Sequence, residues 1–265
     1  MDPIDQFKAM QKQMWSGFAA IEMFTGVAAP HLVRFAGVQR GSKVLDVACG
    51  TGVVALTAAR VGAKVTGIDI TPELIARAKE NAALAHHELE LHEGDAEALP
   101  FADASFDVVL SQFGHMFAPR PEVVVGEMLR VLKPGGTLAF STWPPELFTG
   151  RFFALAGKYS PMPPPAGVAP PPLWGDPNVV RERLGAKVKD LVFDRAAMTM
   201  PMLSPQHGRA FMEKTVGPLT RLVSSLEADP PKLTALRRDL DELLGSYFHD
   251  NVMRQDFLMS RAIKA

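Results

Sequence analysis

Short apolar strands alternate regularly with amphipathic helices between residues 43 and 143, and this pattern constrains the fold more than any other feature. Such alternation builds βαβ units, in which right-handed crossovers join parallel strands. We therefore predict an α/β protein with a doubly wound, Rossmann-like sheet. Ligands of such sheets bind beyond the carboxyl ends of the strands. The strands are predicted at 43–50, 64–70, 89–93, 105–111 and 137–143.

The segments on either side are predicted to complete this core rather than to fold independently. Residues 1–40 carry apolar side chains at helical spacing and are expected to form helices over the ligand site, while residues 41–143 form the ligand-binding core. Residues 144–265 are expected to supply a lid or substrate segment and the last strands of the same sheet. Within this part, the proline-rich stretch Pro161–Pro172 predicts an extended segment, either a connecting loop or an active-site lid.

Composition and charge exclude several classes of protein. The 265 residues are 47% hydrophobic and 22% charged with a net charge of −1, which is typical of a chain that buries a core. No dense Lys/Arg block predicts a nucleic-acid partner, and no apolar stretch approaches the roughly 20 residues of a membrane span. The single cysteine, Cys49, excludes an internal disulfide. Together with the lack of a signal-peptide pattern it favours a soluble, cytoplasmic protein, while the oligomeric state stays open.

The turn after the first strand, Gly50-Thr51-Gly52, leads directly into a helix. Glycines there let the backbone approach a ligand closely, and the amides at a helix start favour polar or anionic groups. Gly50, Gly52 and Ala55 also match the dinucleotide pattern G-x-G-x-x-A. The turn alone therefore fits either a nicotinamide dinucleotide or S-adenosylmethionine (SAM).

Three acidic residues lie near the ends of the first three predicted strands, and they help to choose between a nicotinamide dinucleotide and SAM. Asp46 lies four residues before Gly50, where a carboxylate would repel a pyrophosphate but would favour the α-ammonium of SAM, directly or through water. Asp69 ends the second strand and can accept hydrogen bonds from both ribose hydroxyls, as acids do in either kind of site. Asp95 follows the third strand and can accept from an adenine amino group, beside the backbone N–H of Ala96. The acidic pattern favours SAM over NAD.

Four motifs in this order carry a family resemblance: DVACGTG, GIDITPELIARAKENA, EGDAEALPFADASFDVVLSQFG and EMLRVLKPGGTLAFSTW. Over residues 40–143 the chain resembles the class I SAM-dependent methyltransferases, in particular the group with ubiquinone/menaquinone-biosynthesis and many small-molecule methyltransferases. The resemblance implies a mostly parallel seven-stranded sheet whose last strands lie at about 187–200 and 254–263. It also implies that the helical stretch 204–250, with 145–175, covers the pocket.

The resemblance further implies a set of cofactor residues. The glycine turn would hold the methionine half of SAM, Asp69 and Ile70 would flank the ribose and adenine, and Gln112 would face the sulfonium. Similar proteins place an aromatic residue of an N-terminal helix against the cofactor, and Trp15 is the candidate here, with core packing as its alternative. The residues predicted to bind SAM are Trp15, Asp46, Ala48, Gly50, Thr51, Gly52, Asp69, Ile70, Asp95, Ala96 and Gln112.

The predicted activity is transfer of the SAM methyl group to an oxygen, nitrogen or carbon atom of a small-molecule acceptor, with S-adenosylhomocysteine (SAH) as product. The sulfonium is a good leaving group, so direct displacement mainly needs alignment and desolvation. His115 is the candidate general base, with a pocket-lining or structural role as the alternative. Phe113, Met116 and Phe117 favour a partly hydrophobic acceptor, and no metal site is predicted. Two other functions stay open, a NAD-dependent oxidoreductase and a non-catalytic SAM-binding regulatory module.

Overall fold

The computed structural model describes residues 2–161 and 168–265, which fold around one central sheet. Its strands are β1 (Lys43–Val47), β2 (Lys64–Asp69), β3 (Glu90–Glu93), β4 (Phe106–Gln112), β5 (Leu132–Thr142), β6 (Val188–Pro201), β7 (Phe248–His249) and β8 (Val252–Lys264). Its α-helices are α1 (Pro3–Trp15), α2 (Glu22–Phe35), α3 (Val53–Arg60), α4 (Pro72–Leu84), α5 (Pro121–Val131), α6 (Phe148–Tyr159), α7 (Pro177–Leu184), α8 (Pro205–Thr215), α9 (Gly217–Ser225) and α10 (Pro230–Gly245).

The strand order is β3-β2-β1-β4-β5-β8-β6, and the first five strands are parallel. β8 runs antiparallel between β5 and β6, and the two-residue β7 pairs with β8 outside this row. The predicted doubly wound, mostly parallel α/β sheet is confirmed, and the described residues add a short eighth strand to the seven expected. Strand order reverses between β1 and β4, which places a ligand crevice at their carboxyl ends.

Strand β1 shows why the sequence forms a buried parallel strand. Val44 packs on one face of the sheet in a cluster with α2 and α3, whereas Leu45 and Val47 pack on the other face. All three side chains are fully buried, because helices cover both faces. A strand covered on both sides reads as a continuous apolar run, as β1 does in the sequence.

The C-terminal part adds a second apolar cluster beyond the edge of the parallel sheet. The long strands β6 and β8 extend past β5, so that Met200 and Met253 reach a group of helices made of α6 and α8–α10. Leu219 and Leu244 of those helices are fully buried in the same cluster. The strands expected at about 187–200 and 254–263 are present, and the helical stretch between them consists of three helices followed by β7.

Two local expectations differ from the structure. Strand β5 begins at Leu132 instead of 137, because Leu132 pairs with Phe106 across a bulge before the regular register begins at Thr137. Most of the proline-rich stretch, at 162–167, lies outside the described residues, but its end is not extended: Pro171–Gly175 forms a 3₁₀ turn. Trp174 fixes that turn, since its carbonyl accepts a 2.9 Å hydrogen bond from the hydroxyl of Thr142.

Within the described part of the chain, no helix has the length and apolar character needed to cross a membrane.

Candidate cofactor and acceptor site

A cavity of about 220 Å³ lies at the carboxyl ends of β1 and β4, where the strand order reverses. Nine of the twelve residues predicted for cofactor binding or catalysis line it, although they come from five separate segments of the chain. They are Trp15, Ala48, Gly50, Asp69, Ile70, Asp95, Ala96, Gln112 and His115. Asp46, Thr51 and Gly52 do not line it.

The glycine turn owes its shape to backbone conformations that favour glycine. Gly50 and Gly52 have φ of +55° and +82°, and Gly52 is the residue that precedes α3. A Cβ on Gly52 would lie 3.3 Å from the Cβ of Ala78 on α4, so glycine also allows these elements to pack closely. Gly52 therefore shapes the turn without contacting the cavity.

Gly114 lets the ends of β1 and β4 meet. A Cβ at this position would lie 2.5 Å from the Cβ of Ala48 and 2.9 Å from its carbonyl oxygen. Ala48 itself has a φ of +55°, a left-handed conformation that costs energy in any residue with a side chain. The floor of the cavity is thus a close backbone approach between two strand ends.

Asp69 joins β2 to the glycine turn and keeps its carboxylate on the cavity wall. One carboxylate oxygen accepts from the N–H of Gly50 at 2.9 Å, and the other accepts from the N–H of Thr71 at 2.9 Å. Burial raises the pKa of Asp69, and these two backbone hydrogen bonds oppose the rise. Because each carboxylate oxygen has two acceptor positions, one position on each oxygen is left for a ligand hydroxyl.

Asp46 lies behind the turn instead of on the cavity wall. One carboxylate oxygen accepts from the N–H of Ala55 in the first turn of α3 at 3.0 Å. The other oxygen is buried without a hydrogen-bond partner among the described residues. Burial raises the pKa of Asp46 to about 8, and the charge of Asp69 adds to the rise. Asp46 thus caps α3, and its side chain does not line the cavity.

Helix α1 covers the cavity and is tied to the loop after β3. The ammonium group of Lys8 lies 2.6 Å from a carboxylate oxygen of Asp95 and 2.6 Å from one of Glu97. Burial lowers the pKa of Lys8, but hydrogen bonds to both carboxylates outweigh it and the pKa rises. The sequence gave no sign of this ion pair, because 87 residues separate Lys8 from Asp95. Asp95 therefore lines the cavity with one carboxylate oxygen on Lys8 and the other accepting from the N–H of Glu97 at 2.9 Å.

Trp15 and Gln112 lie where α1 and α2 meet the strand ends. The ring of Trp15 contacts that of Phe117 with centroids 4.7 Å apart, and both rings line the cavity. The side-chain amide of Gln112 donates to the carbonyl of Thr25 at 2.9 Å, while its side-chain oxygen is buried without a partner in the described part of the chain. The hydrogen bond to Thr25 thus fixes Gln112 between α2 and the end of β4.

His115 is buried against aromatic rings. Its ring lies 4.7 Å from that of Phe140 and 4.7 Å from that of Trp174, between centroids. Burial lowers the pKa of His115 to about 3, with a smaller contribution from the positive charge of Arg183. Both ring nitrogens are inaccessible and have no hydrogen-bond partner among the described residues. This geometry gives no support to the predicted general base and favours the structural alternative.

The far half of the cavity is a wall of aromatic and sulfur-containing side chains, in which sequence reasoning singles out Phe113 but not Trp143. The rings of Phe113 and Trp143 stack with centroids 3.9 Å apart and planes 13° from parallel. Phe113 has a φ of +61°, held by a 2.9 Å hydrogen bond from its N–H to the carbonyl of Ser141. The C-terminal segment completes the wall with Phe148, Thr149, Phe152, Phe153, Met198, Met200, Met212, Val216, Pro218 and Gln255.

Comparison with known proteins identifies the family of the chain. The methyltransferase domain family matches residues 45–140. The uncharacterized protein Rv1403c of Mycobacterium tuberculosis is 37% identical over 257 residues, covering 96% of this chain and 93% of that protein. A demethylmenaquinone methyltransferase of Chlorobaculum parvum is 46% identical over 99 residues, covering 37% of this chain and 39% of that protein.

The fold agrees as well. Phosphoethanolamine N-methyltransferase 2 of Haemonchus contortus, solved with SAH bound, superposes with a TM-score of 0.58 at 18% identity, covering 100% of this chain and 60% of that one. The chain belongs to the class I SAM-dependent methyltransferases, in one family with the mycobacterial protein.

This assignment decides between the interpretations that the glycine turn left open. The chain is a SAM-dependent methyltransferase, and the nicotinamide-dependent oxidoreductase is set aside. Among the described residues, no group of three or more His, Cys, Asp or Glu side chains is placed to hold a metal ion.

Proposed function

We propose that this enzyme transfers the methyl group of SAM to a small-molecule acceptor by direct displacement, with the two ligands in opposite halves of one cavity. The observation that carries the proposal is the division of the cavity wall. Its charged residues Lys8, Asp69 and Asp95 all lie at α1 and the ends of β2 and β3, and the C-terminal half of its lining contains none. A polar nucleoside fits the first half and an apolar acceptor fits the second.

The first half suits the adenosine of SAM. Asp69 would accept from the ribose hydroxyls with the positions that Gly50 and Thr71 leave free. Ile70 and Ala96 would lie against the adenine, and the remaining acceptor positions of Asp95 would take its amino group. Helix α1 would close over the nucleoside, since Lys8 joins that helix to Asp95.

The methionine half would lie along the floor made by Ala48 and Gly114. The close approach of β1 and β4 at this point leaves backbone and no bulky side chain beneath the ligand. Gln112, which lines the cavity at the end of β4, would lie beside the methionine, while Asp46 supports the turn from behind.

SAM supplies an electrophilic methyl group on a sulfonium that leaves readily, so the protein needs mainly to align the acceptor and exclude water. The aromatic wall would do both, because Phe113, Trp143 and Phe148 leave little room for water beside an apolar acceptor. His115 is neutral and inaccessible, so we propose that it positions the wall and removes no proton from the acceptor.

Calorimetry with SAM, SAH and NADH tests the proposal. We expect micromolar binding of SAM and SAH, no binding of NADH, and release of SAH when SAM is incubated with a panel of small acceptors. Binding of NADH with no binding of SAM would contradict the proposal. Binding of SAM without transfer to any acceptor would instead favour the non-catalytic regulatory module.

A further inference from the structure

The acceptor half of the cavity contains one deeply buried polar side chain whose hydrogen bonds are not satisfied. Gln255 of β8 lines the cavity and is only 9% exposed. Its backbone pairs with Met198 of β6, but its side-chain amide has no hydrogen-bond partner among the described residues. A largely buried amide in a folded protein is nearly always paired, and the partner of this one is water or a ligand in the cavity that it lines.

The position of Gln255 in β8 places its polar side chain in an otherwise apolar row. Side chains on one face of a strand recur at every second residue, which puts Gln255 in a row with Met253 and Phe257. Both neighbours are 0% exposed and belong to apolar clusters. An apolar residue would satisfy the packing of this row, and the amide therefore interrupts it at the point where the row meets the cavity.

The remaining surface around Gln255 carries no charge. Met198 is its register partner on β6, and Thr149, Met200 and Met212 line the same cavity. The cavity lining from residue 143 onward contains no Asp, Glu, Lys, Arg or His. An ionised acceptor would lose its hydration here without gaining an opposite charge, which strongly disfavours binding.

We propose that Gln255 is the residue that selects and orients the acceptor, which is an uncharged, largely apolar molecule carrying one hydroxyl or carbonyl group. The amide donates to, or accepts from, that group, and the stacked rings of Phe113 and Trp143 present a flat surface to the acceptor's apolar body. The inference rests on the proposed function, since it concerns the acceptor half of the same cavity. The inference adds the chemical class of the acceptor and names Gln255 as the side chain that recognises it.

The test uses three probes of one shape: biphenyl, 4-hydroxybiphenyl and biphenyl-4-carboxylate. Each is titrated by calorimetry into the full-length protein saturated with SAH. We expect 4-hydroxybiphenyl to bind about tenfold more tightly than biphenyl, the gain from one satisfied hydrogen bond. The carboxylate is expected to bind at least tenfold more weakly than the hydroxyl compound.

Gln255→Leu removes the amide at similar volume, and Gln255→Met repeats the test with the residue type found in the same row. Both variants should bind SAH normally and bind 4-hydroxybiphenyl no better than biphenyl. Gln206→Leu, on the exposed face of α8, is the matched control and should keep the tenfold preference.

Three results would overturn the inference: a carboxylate that binds as tightly as the hydroxyl compound, a hydroxyl preference that survives both variants, or an SAH complex that binds none of the probes. Failure of SAH itself to bind would be a different result, because it contradicts the proposed function on which the inference rests.

Discussion

The two halves of the cavity are built from different parts of the chain and in different ways. The nucleoside half is formed by strand ends and short turns of the parallel sheet, where Asp69 and the glycine turn are fixed by backbone hydrogen bonds. The acceptor half is formed by side chains of helices and of two long antiparallel strands. In the first half the backbone sets the shape, and in the second the side chains do. The difference suggests a fixed cofactor site joined to an acceptor site that substitution can readily reshape.

The largest effect expected in the nucleoside half is that of Asp69→Ala. The substitution removes the acceptor of two backbone hydrogen bonds and the proposed partner of the ribose, so we expect SAH to bind roughly 100-fold more weakly. Calorimetry measures the loss, and Asp103→Ala on the exposed surface is the control. Unchanged SAH affinity in Asp69→Ala would contradict the proposal that this half of the cavity binds the nucleoside.

The close approach of β1 and β4 is tested by Gly114→Ala. The added Cβ would lie 2.5 Å from that of Ala48, so either strand end must move. We expect the free energy of unfolding to fall by about 2–3 kcal/mol, together with weaker SAH binding. Denaturant unfolding measures the change. Gly126→Ala is the matched control, because nothing lies within 4 Å of its Cβ position in α5, and we expect it to stabilise the protein by about 0.5–1 kcal/mol.

The burial of His115 predicts a dependence of stability on pH. Its pKa falls from 6.5 to about 3 on folding, so the unfolded chain binds the proton more strongly. His115 therefore leaves the free energy of unfolding nearly unchanged above about pH 6.5. As the pH falls toward 3 it lowers that free energy, by about 2 kcal/mol at pH 5. His115→Phe removes this loss, so the variant should lose less stability than the wild type between pH 7 and pH 5 in denaturant titrations.

The pKa of Asp46 shifts in the opposite direction and also makes stability depend on pH. The effect of His115 is therefore obtained from the difference between the wild type and His115→Phe. The pKa of Asp46 rises on folding to about 8, so its effect is to lower stability as the pH rises from the unfolded value toward 8. This contribution is common to the wild type and the variant and cancels in their difference. Equal pH profiles for the two proteins would show that His115 is accessible. Loss of methyl transfer in His115→Phe with normal SAH binding would instead support His115 as the general base.

The smallest effect expected is that of Lys8→Ala at the cover of the nucleoside half. The substitution breaks the ion pairs with Asp95 and Glu97, which keeps its partner Arg120. We expect SAH to dissociate about threefold to tenfold faster, since one charge-assisted contact of α1 is lost. Stopped-flow measurements give the rate. The difference from the wild type should shrink in high salt, and a difference that is insensitive to salt would count against the ion pair as its cause.

The contrast between the halves also explains how much the sequence could predict. The parallel core and the nucleoside residues follow from local patterns, because a strand, a glycine turn and the next helix lie within a few residues of one another. Asp69 and Gly50 could both be proposed as cofactor residues in this way. The family resemblance also placed β6 and β8, although neither strand contains an apolar run longer than three residues.

What the sequence did not predict depends on contacts between distant segments. Lys8 meets Asp95 only after α1 folds back over the sheet, and no local pattern marks either residue for the other. Asp46 is the first residue of the DVACGTG motif, yet its carboxylate turns to the start of α3 and away from the cavity. Gln255 had one usable signal, a polar residue in a buried row of a predicted strand, but its meaning depends on the cavity beside it.

A crystal structure of the SAH complex tests the central claim most directly. The account predicts the ribose hydroxyls on the carboxylate of Asp69, the adenine beside Ile70 and Ala96, and the sulfur directed toward the apolar half that contains Gln255. SAH with its adenosine in the apolar half, or outside the cavity altogether, would contradict the account.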